Sequence, residues 1–330
     1  MAVVAKTSPS PIISPEHERR ERIQKFKLTG RAYLWLLPIL LCMAIIVYYP
    51  LIYGIILSFT NADQSNVALH LGNVTLPATY KFIGIQNYIH IIQDWFNPGS
   101  DGAHILWQTV IWIIANSIFH FALGLGLALI LNRKMRFRSV YRVLLMVPWA
   151  MPQYVSAFAW LFLFNQQYGF IDMTLQNMGL PAIPWSSDPT WALASIIIVN
   201  VWLGVPFMTV TLLGGLQSIP SEMYEASAID GASRWQTFLY VTLPMLRPVA
   251  FLVTLLDVIW TFNLFSVIFL ITGGGPFNRT QTLVTYAWSQ AIQGEQRFGL
   301  GGAYGVIILA ILLVFTLIYS RMLRSNETVY

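Results

Sequence analysis

Long apolar runs are the feature that most restricts how this chain can fold. A helix needs about 20 apolar residues to cross a bilayer. Backbone N–H and C=O groups in hydrocarbon must be satisfied within the segment, which favours helices. The runs therefore predict an all-α membrane protein with six transmembrane helices. They lie near residues 33–60, 106–131, 143–165, 191–216, 248–271 and 302–320.

The composition agrees with a bilayer and excludes several other classes. Of the 330 residues, 56% are hydrophobic and only 10% are charged, which is too apolar for a water-soluble domain. The net charge of +5 does not indicate nucleic-acid binding, because the basic residues bracket apolar runs instead of interleaving with aromatics on one polar domain. The single cysteine, Cys42, rules out a disulfide framework within the chain.

The distribution of basic residues predicts the orientation and the domain plan. Lysine and arginine number 7 in an N-terminal arm (1–32), 5 in the 132–142 loop, 2 in the 217–247 loop, 2 in a C-terminal tail (321–330) and 3 elsewhere. The positive-inside rule then places both termini in the cytoplasm, which fits an even number of spans. The transmembrane domain occupies 33–320. The first apolar run starts too late for a cleavable signal peptide.

Prolines predict irregular helices in the middle of this domain. The third run contains Pro148 and Pro152, and the fourth contains Gly204 and Pro206. A proline inside a helix removes a backbone donor, so both helices are predicted to be kinked or locally unwound. Such a bend either serves packing or shapes a translocation path.

The 217–247 loop is too long for a simple turn and is predicted to form a helix, a glycine break and a second helix. Ser221 is placed to cap the first helix and Asp230 to cap the second, with the break at Gly231. Small residues in the middle permit close approach of another protein. Apolar side chains that could anchor such a contact are Met223, Tyr224, Trp235 and Phe238. The hairpin either rests on the membrane or inserts into a partner.

This loop resembles the EAA loop of binding-protein-dependent ABC importer permeases. The matching residues are Glu225-Ala226-Ser227-Ala228-Ile229-Asp230-Gly231-Ala232, then Phe238, Leu243-Pro244 and Pro248. Ser227, in place of the second alanine, is the clearest departure from the pattern. In that family the loop docks into a groove of the ATPase subunit. The resemblance implies this coupling role for Glu225, Ala226, Asp230, Gly231 and Ala232.

Further motifs resemble the carbohydrate branch of the family, in particular the maltose-permease-like first subunit. They are Phe82-Ile83-Gly84, Pro148-Trp149-Ala150-Met151-Pro152 and Trp260-Thr261-Phe262-Asn263-Leu264-Phe265, followed by Thr272-Gly273-Gly274-Gly275-Pro276. The resemblance implies a type I ABC importer permease fold and import of a sugar or polyol by alternating access. It also implies a bacterial or archaeal cytoplasmic membrane.

The same resemblance implies the partners. They are a second permease subunit that is a homologue, two ATPase subunits and an extracytoplasmic substrate-binding protein, all in contact with membrane lipid and not with nucleic acid. No cofactor is expected on this chain, since ATP and Mg²⁺ would be used by the ATPase. The chain contains no Gly-x-x-x-x-Gly-Lys phosphate loop, so it is expected to be a transporter subunit and not an enzyme.

Polar residues within the runs are candidates for the substrate path. Asp257 is the one formal charge inside a run, and an intramembrane carboxylate is a functional candidate by default. Thr254, Asp257, Trp260 and Asn263 recur every three residues and so predict a shared helix face, to which Asn200 is added from another span. The alternative is that these groups satisfy neighbouring helices. His120 is expected to be buried and hydrogen-bonded.

Two other classes of transport protein are alternatives to an ABC importer permease. An ion-gradient-driven secondary transporter of small polar solutes would show inverted repeats and several intramembrane acids, whereas we find no internal repeat and one acid. A channel could use the glycines at 273–275 as a filter, but glycines beside a proline more simply predict a tight external turn.

Overall fold

Five helices long enough to cross a membrane, together with one sharply bent helix pair, form the architecture that the computed structural model describes over residues 35–71, 74–294 and 296–327. The six predicted spans correspond to these elements when the bent pair is counted as one span. The helices are α1 (Trp35–Leu57), α2 (Gln86–Phe96), α3 (Asp101–Asn132), α4 (Arg138–Ala150), α5 (Gln153–Leu163), α6 (Phe170–Asn177), α7 (Pro189–Gln217), α8 (Ser221–Ile229), α9 (Arg234–Phe262), α10 (Ser266–Ile271), α11 (Leu283–Ile292) and α12 (Phe298–Glu327).

Two short strands lie outside the spans. Leu69–Leu71 (β1) pairs antiparallel with Val74–Leu76 (β2), in the register Leu69 opposite Leu76. This hairpin is too small to alter the all-α class. The N-terminal arm (1–32) lies outside the described residues, and α12 continues the last span to Glu327, so most of the predicted C-terminal tail is helical.

The third span is broken, as its prolines predict. Helices α4 and α5 meet at an angle of 91° at Met151 and Pro152, because the Pro152 nitrogen has no hydrogen to donate and its ring favours an extended backbone at Met151, which has φ −75° and ψ 139°. For the fourth span the sequence predicts a kink or local unwinding. Helix α7 passes Gly204 and Pro206 without a break, so local unwinding is absent there.

Helices α3 and α7 form the centre of the Ile55–Tyr330 unit, the second of the two units into which the chain divides after Gly54. Trp112 is fully buried on α3, and its indole N–H donates to the Thr261 carbonyl of α9 at 2.9 Å. The Thr109 hydroxyl accepts from the Leu283 N–H at 2.9 Å and so holds the start of α11. The polar contacts of the α3 face therefore fix where the ends of α9 and α11 lie.

The fifth span starts 14 residues earlier than the apolar run suggests. Helix α9 begins at Arg234 and contains a wide π-type turn, Phe238–Thr242, directly before Pro244. The Leu243 N–H bonds to the Phe238 carbonyl across this turn. A wider turn relieves the clash that a proline ring makes with the preceding helical turn, so the helix continues from the loop into the membrane. The second half of the loop and the fifth span therefore form one continuous helix.

The glycines at 273–275 form a tight turn after α10, as predicted. Gly273 and Gly274 have φ values of 60° and 88°, which side chains with a Cβ rarely adopt. The Thr272 and Thr280 hydroxyls lie 2.7 Å apart across the turn, and the Thr280 hydroxyl also donates to the Gly275 carbonyl at 2.7 Å.

Candidate functional site

The EAA-like loop is a helical hairpin with two well-defined halves. Helix α8 ends at Ile229, Gly231 turns the chain with a φ of 73°, and α9 begins at Arg234. The predicted caps are wrong. Ser221 is the first residue of α8 and makes no cap hydrogen bond, and Asp230 ends α8 instead of starting α9. Ser233 caps α9 through a capping box with Gln236.

The buried side of this hairpin explains the departure from the family pattern. Ser227 is the buried residue of α8, and its hydroxyl donates to the Tyr224 carbonyl at 2.9 Å and lies 3.3 Å from the Thr237 hydroxyl of α9. Tyr224 is half-buried, packs on the core below and has its hydroxyl 3.4 Å from Thr242. A serine at position 227 therefore ties the two helices of the hairpin together, where alanine would only fill space.

The opposite side of the hairpin is left uncovered. Glu225, Ala226 and Asp230 are exposed, as is Ile229, which is 87% accessible. Met223 and Trp235 are exposed as well, whereas Phe238 stacks on Trp235 and Ala232 is half-buried. Carboxylates beside uncovered apolar side chains make a surface suited to another protein. Ile229 was missed as an anchor in the sequence, although it directly precedes the Asp-Gly pair.

A buried polar cluster joins three spans. His120 of α3 lies with Nδ1 2.7 Å from the Asp257 carboxylate of α9 and Nε2 3.0 Å from the Asn200 carbonyl of α7. His120 and Asp257 are 1% and 6% exposed. The expectation that His120 is buried and hydrogen-bonded is confirmed.

The proton count of the cluster follows from its acceptors. A carbonyl oxygen only accepts, so Nε2 of His120 carries a hydrogen. Nδ1 and Asp257 then share one proton, as imidazolium and carboxylate or as two neutral groups, and the pair has no net charge in either form. Within the described part of the chain, Asp257 Oδ2, Asn200 Nδ2 and Asn116 Oδ1 are buried without a hydrogen-bond partner. Hydrogen bonds between its own residues therefore hold the cluster together, while some of its buried polar atoms have no hydrogen-bond partner among the described residues.

Gly204 makes this approach of helices possible. It lies one turn beyond Asn200 on α7, and a Cβ at position 204 would overlap the His120 imidazole ring. Gly204, which was predicted to mark a kink, thus leaves the space that the His120 ring occupies.

The four residues Thr254, Asp257, Trp260 and Asn263 do not form one face of α9. Each step of three residues falls about 60° short of a full turn, so nine residues carry the last side chain to the opposite side. Thr254 lies beside Tyr319 of α12, Asp257 contacts His120 of α3, and Trp260 packs on Phe207 of α7 at 4.8 Å between ring centroids.

A different set of side chains supplies aromatic rings, amides and a hydroxyl on α4, α5, α7, α9 and α10. The Trp149 ring stacks on Phe207 at 6.2 Å, and Phe207 contacts Trp260, so the three rings link α4, α7 and α9. Trp149 and Trp260 are each about half exposed. Beyond them, the Ser266 hydroxyl donates to the Gln153 side chain at 2.7 Å. We name this surface the aromatic-amide face; its members are Trp149, Gln153, Phe207, Trp260, Asn263 and Ser266.

A polar cavity of about 930 Å³ lies at the other end of the spans, between the 60–65 segment, α2 and the start of α12. Asp63, His90 and Arg297 contribute to its walls. The hydrogen bonds from the Ser65 hydroxyl and backbone keep the pKa of Asp63 below its ordinary value, so this carboxylate stays charged at neutral pH.

Comparison with known proteins gives these surfaces a context. The family model described as "Binding-protein-dependent transport system inner membrane component" matches residues 120–327, which is more than half of the chain. The chain belongs to this family. The match contains the buried cluster, the aromatic-amide face and the EAA-like loop, and it makes the protein a multi-pass membrane component of an ABC import system.

Relatives of this permease match nearly end to end. The "Trehalose/maltose transport system permease protein MalF" of Thermococcus litoralis is 31% identical over 306 residues, covering 92% of this chain and 97% of the relative. The "Diacetylchitobiose uptake system permease protein DasB" of Streptomyces coelicolor is 32% identical over 301 residues, covering 89% and 87%.

A solved structure supports the type I importer permease fold. A chain from a bacterial ABC transporter "involved in the import of the acidic polysaccharide alginate" superposes with a TM-score of 0.77 at 21% identity, covering 92% of this chain and 99% of that one. Nothing in these comparisons supports the secondary-transporter alternative. The permease resemblance inferred from residues 225–248 is confirmed.

Proposed function

We propose that this permease forms half of the membrane pore of an ABC importer for a neutral sugar or polyol. The observation that carries the proposal is the aromatic-amide face, together with the sugars named for the two relatives above. Aromatic rings stack on the apolar faces of sugar rings, and amides exchange hydrogen bonds with hydroxyls. The named side chains of this face carry no charge, which suits a neutral substrate better than a polyanion.

Exposure of the face supports its position on the path. Asn263 is exposed and donates to the Ile259 carbonyl, and Gln153 is exposed beside the break between α4 and α5. Amides facing lipid hydrocarbon are costly, so polar groups at this depth are covered by protein or line a water-filled path. We place Trp260 and Asn263 on the path. Asp257 and Asn200 lie behind it in the buried cluster, and Thr254 faces away.

Cysteine labelling tests this assignment. Asn263→Cys in a Cys42→Ala background is expected to react with a polar thiol reagent, and transported sugar is expected to slow that reaction at least about threefold. Trp260→Ala is expected to lower sugar uptake about fivefold, since a stacked ring contributes on the order of 1 kcal/mol.

The matched control is Thr254→Cys, which lies on the opposite side of α9. It should label at a rate that sugar does not change. If sugar changes the labelling rate of neither Asn263→Cys nor Thr254→Cys, the aromatic-amide face does not line the path.

The remaining partners follow from the same proposal. A second, homologous permease would cover the aromatic-amide face, and two ATPase subunits using ATP and Mg²⁺ would dock on the EAA-like loops. A soluble binding protein would deliver sugar to the polar end that contains the 930 Å³ cavity. The location is the cytoplasmic membrane of a bacterium or archaeon, with membrane lipid around the spans.

Topology gives this arrangement a direct test. Both termini and the EAA-like loop are expected in the cytoplasm, because basic residues on that side number 16 against 3. Reporter fusions at the C-terminal tail and within 166–190 should report opposite sides of the membrane. The same side for both would contradict the arrangement of spans.

A further inference from the structure

A groove of about 610 Å³ between α3, α9 and α12 belongs to none of the surfaces described so far. Its walls are mainly apolar and include Phe121, Ala250 and Phe251. Arg247 lies one helical turn in from the Leu243 end of the groove, and Tyr319 of α12 forms part of the opposite wall. The groove runs along α9 from Leu243 to Thr254, a distance of about 16 Å at the rise of an α-helix.

Arg247 sits at the depth of lipid headgroups. Asp257 belongs to the buried cluster near the middle of the spans, and Arg247 is ten residues from it toward the basic end of α9, which is about 15 Å along a helix. Half of a bilayer's hydrocarbon core is also about 15 Å thick. The guanidinium therefore lies where the apolar core ends and phosphate groups begin.

No carboxylate among the described side chains neutralises the charge of Arg247. The residue is exposed, and the contact described for it is with the face of the Phe251 ring, 5.4 Å from guanidinium carbon to ring centroid. Among the described residues, no carboxylate forms an ion pair with it. A ring holds the cation in place and leaves its N–H groups directed at other acceptors.

The deep end of the groove is suited to a hydrocarbon chain. Tyr319 and Thr254 both line this end of the groove, and they are its two uncharged polar residues. Phe251 and Tyr319 pack together at 5.4 Å between ring centroids and form one apolar wall. The Arg247 cation therefore lies above an apolar wall formed by Phe251 and Tyr319. This arrangement matches one phosphate headgroup and the upper part of an acyl chain.

We propose that this groove binds an anionic phospholipid, with Arg247 on the phosphate and the acyl chain along Phe121 and Phe251. Basic pockets between transmembrane helices at a membrane's basic face commonly hold such headgroups. The lipid would link α9, which carries the EAA-like loop at its start, to α12. The groove is separate from the aromatic-amide face, so this site does not depend on which solute is imported.

Native mass spectrometry of the full transporter assembly tests the proposal. The purified assembly is delipidated and titrated with phosphatidylglycerol or, separately, phosphatidylethanolamine. The parental protein is expected to retain phosphatidylglycerol at least about fivefold better. Arg247→Gln should abolish this preference, and Arg247→Lys should keep most of it, because a lysine still supplies a point charge for phosphate.

The matched control is Arg136→Gln. Arg136 is also exposed and also lies on an aromatic ring (Phe137, 5.2 Å), but it belongs to the 132–142 loop and is outside the groove. It should leave the preference unchanged.

Three results would overturn the proposal. They are equal retention of both lipids by the parental protein, an unchanged preference in Arg247→Gln, and an equal loss in Arg136→Gln. Release of the second permease by Arg247→Gln without any change in bound lipid would also overturn it, since the groove would then be a subunit contact.

Discussion

Replacing His120 with leucine is expected to prevent the accumulation of folded permease. The change leaves the Asp257 carboxyl buried between α3, α7 and α9 without its partner, and breaking a buried pair in this way costs about 3 to 5 kcal/mol. Folded proteins are stable by only about 5 to 15 kcal/mol, so most of the margin would be lost. The measurement is the yield and melting temperature of detergent-purified assembly.

A double-mutant cycle separates the pair from other effects. His120→Leu with Asp257→Leu removes both polar partners, and it should recover a substantial part of the stability lost by His120→Leu alone, because no unpaired carboxyl remains. Asp257→Asn is expected to be milder than His120→Leu, since an amide still hydrogen-bonds the imidazole. If His120→Leu melts at the parental temperature, the pair does not hold the three spans together.

Gly204→Ala offers an independent check on the same cluster. This change leaves both members of the pair in place but puts a methyl group into the imidazole ring. It should therefore lower the melting temperature, by displacement of His120, and the two substitutions Gly204→Ala and His120→Leu should not be additive. Gly126, where a Cβ would meet nothing within 4 Å, provides the control: Gly126→Ala should be tolerated.

The spans and the EAA-like loop could be predicted from sequence because each depends on local information. Apolar runs of about 20 residues identify spans wherever they occur. The hairpin follows from residues close together in the chain. Its cap was misassigned because Ser221 and Asp230 are good capping residues in isolation, whereas Ser233 has Gln236 three residues later and completes a capping box.

The buried pair and the aromatic-amide face could not be predicted because they depend on long-range packing. His120 and Asp257 are 137 residues apart, and nothing near either residue identifies its partner. Trp260 was singled out from the sequence, but its contact with Phe207 and the neighbouring Trp149 depends on how α4, α7 and α9 pack. The shared-face prediction for α9 failed because a spacing of three was continued over nine residues, which turns the helix halfway round.

Glu225→Ala and Gly231→Val are expected to abolish uptake while leaving the permease folded. Glu225 is exposed on the uncovered side of the hairpin, so its loss removes no contact within the chain. At a docked interface, however, losing one member of a desolvated charged pair costs about 2 to 5 kcal/mol. That corresponds to a loss of ATPase affinity of at least about tenfold. Glu222→Ala is the matched control, since Glu222 is also exposed on α8 but lies outside the motif.

Glycine is required at position 231 because of the backbone conformation of the chain there. Its φ of 73° strains any side chain with a Cβ, yet a Cβ there would meet nothing within 4 Å. A β-branched valine should therefore distort the hairpin through conformation, whereas asparagine tolerates this region far better. We expect Gly231→Asn to keep at least half of the uptake that Gly231→Val loses. If asparagine fails as completely as valine, close approach by the ATPase is the stricter requirement.

The measurement is ATPase retained on the purified assembly, together with ATP-driven uptake into vesicles supplied with binding protein. One continuous helix from Arg234 to Phe262 joins the second half of the hairpin to Trp260. On the proposed function, a displacement of the hairpin by the ATPase would be carried along this helix to the aromatic-amide face, so we expect both readouts to fall together. Parental ATPase content and parental uptake in both Glu225→Ala and Gly231→Val would show that the EAA-like loop does not couple ATP hydrolysis to this path.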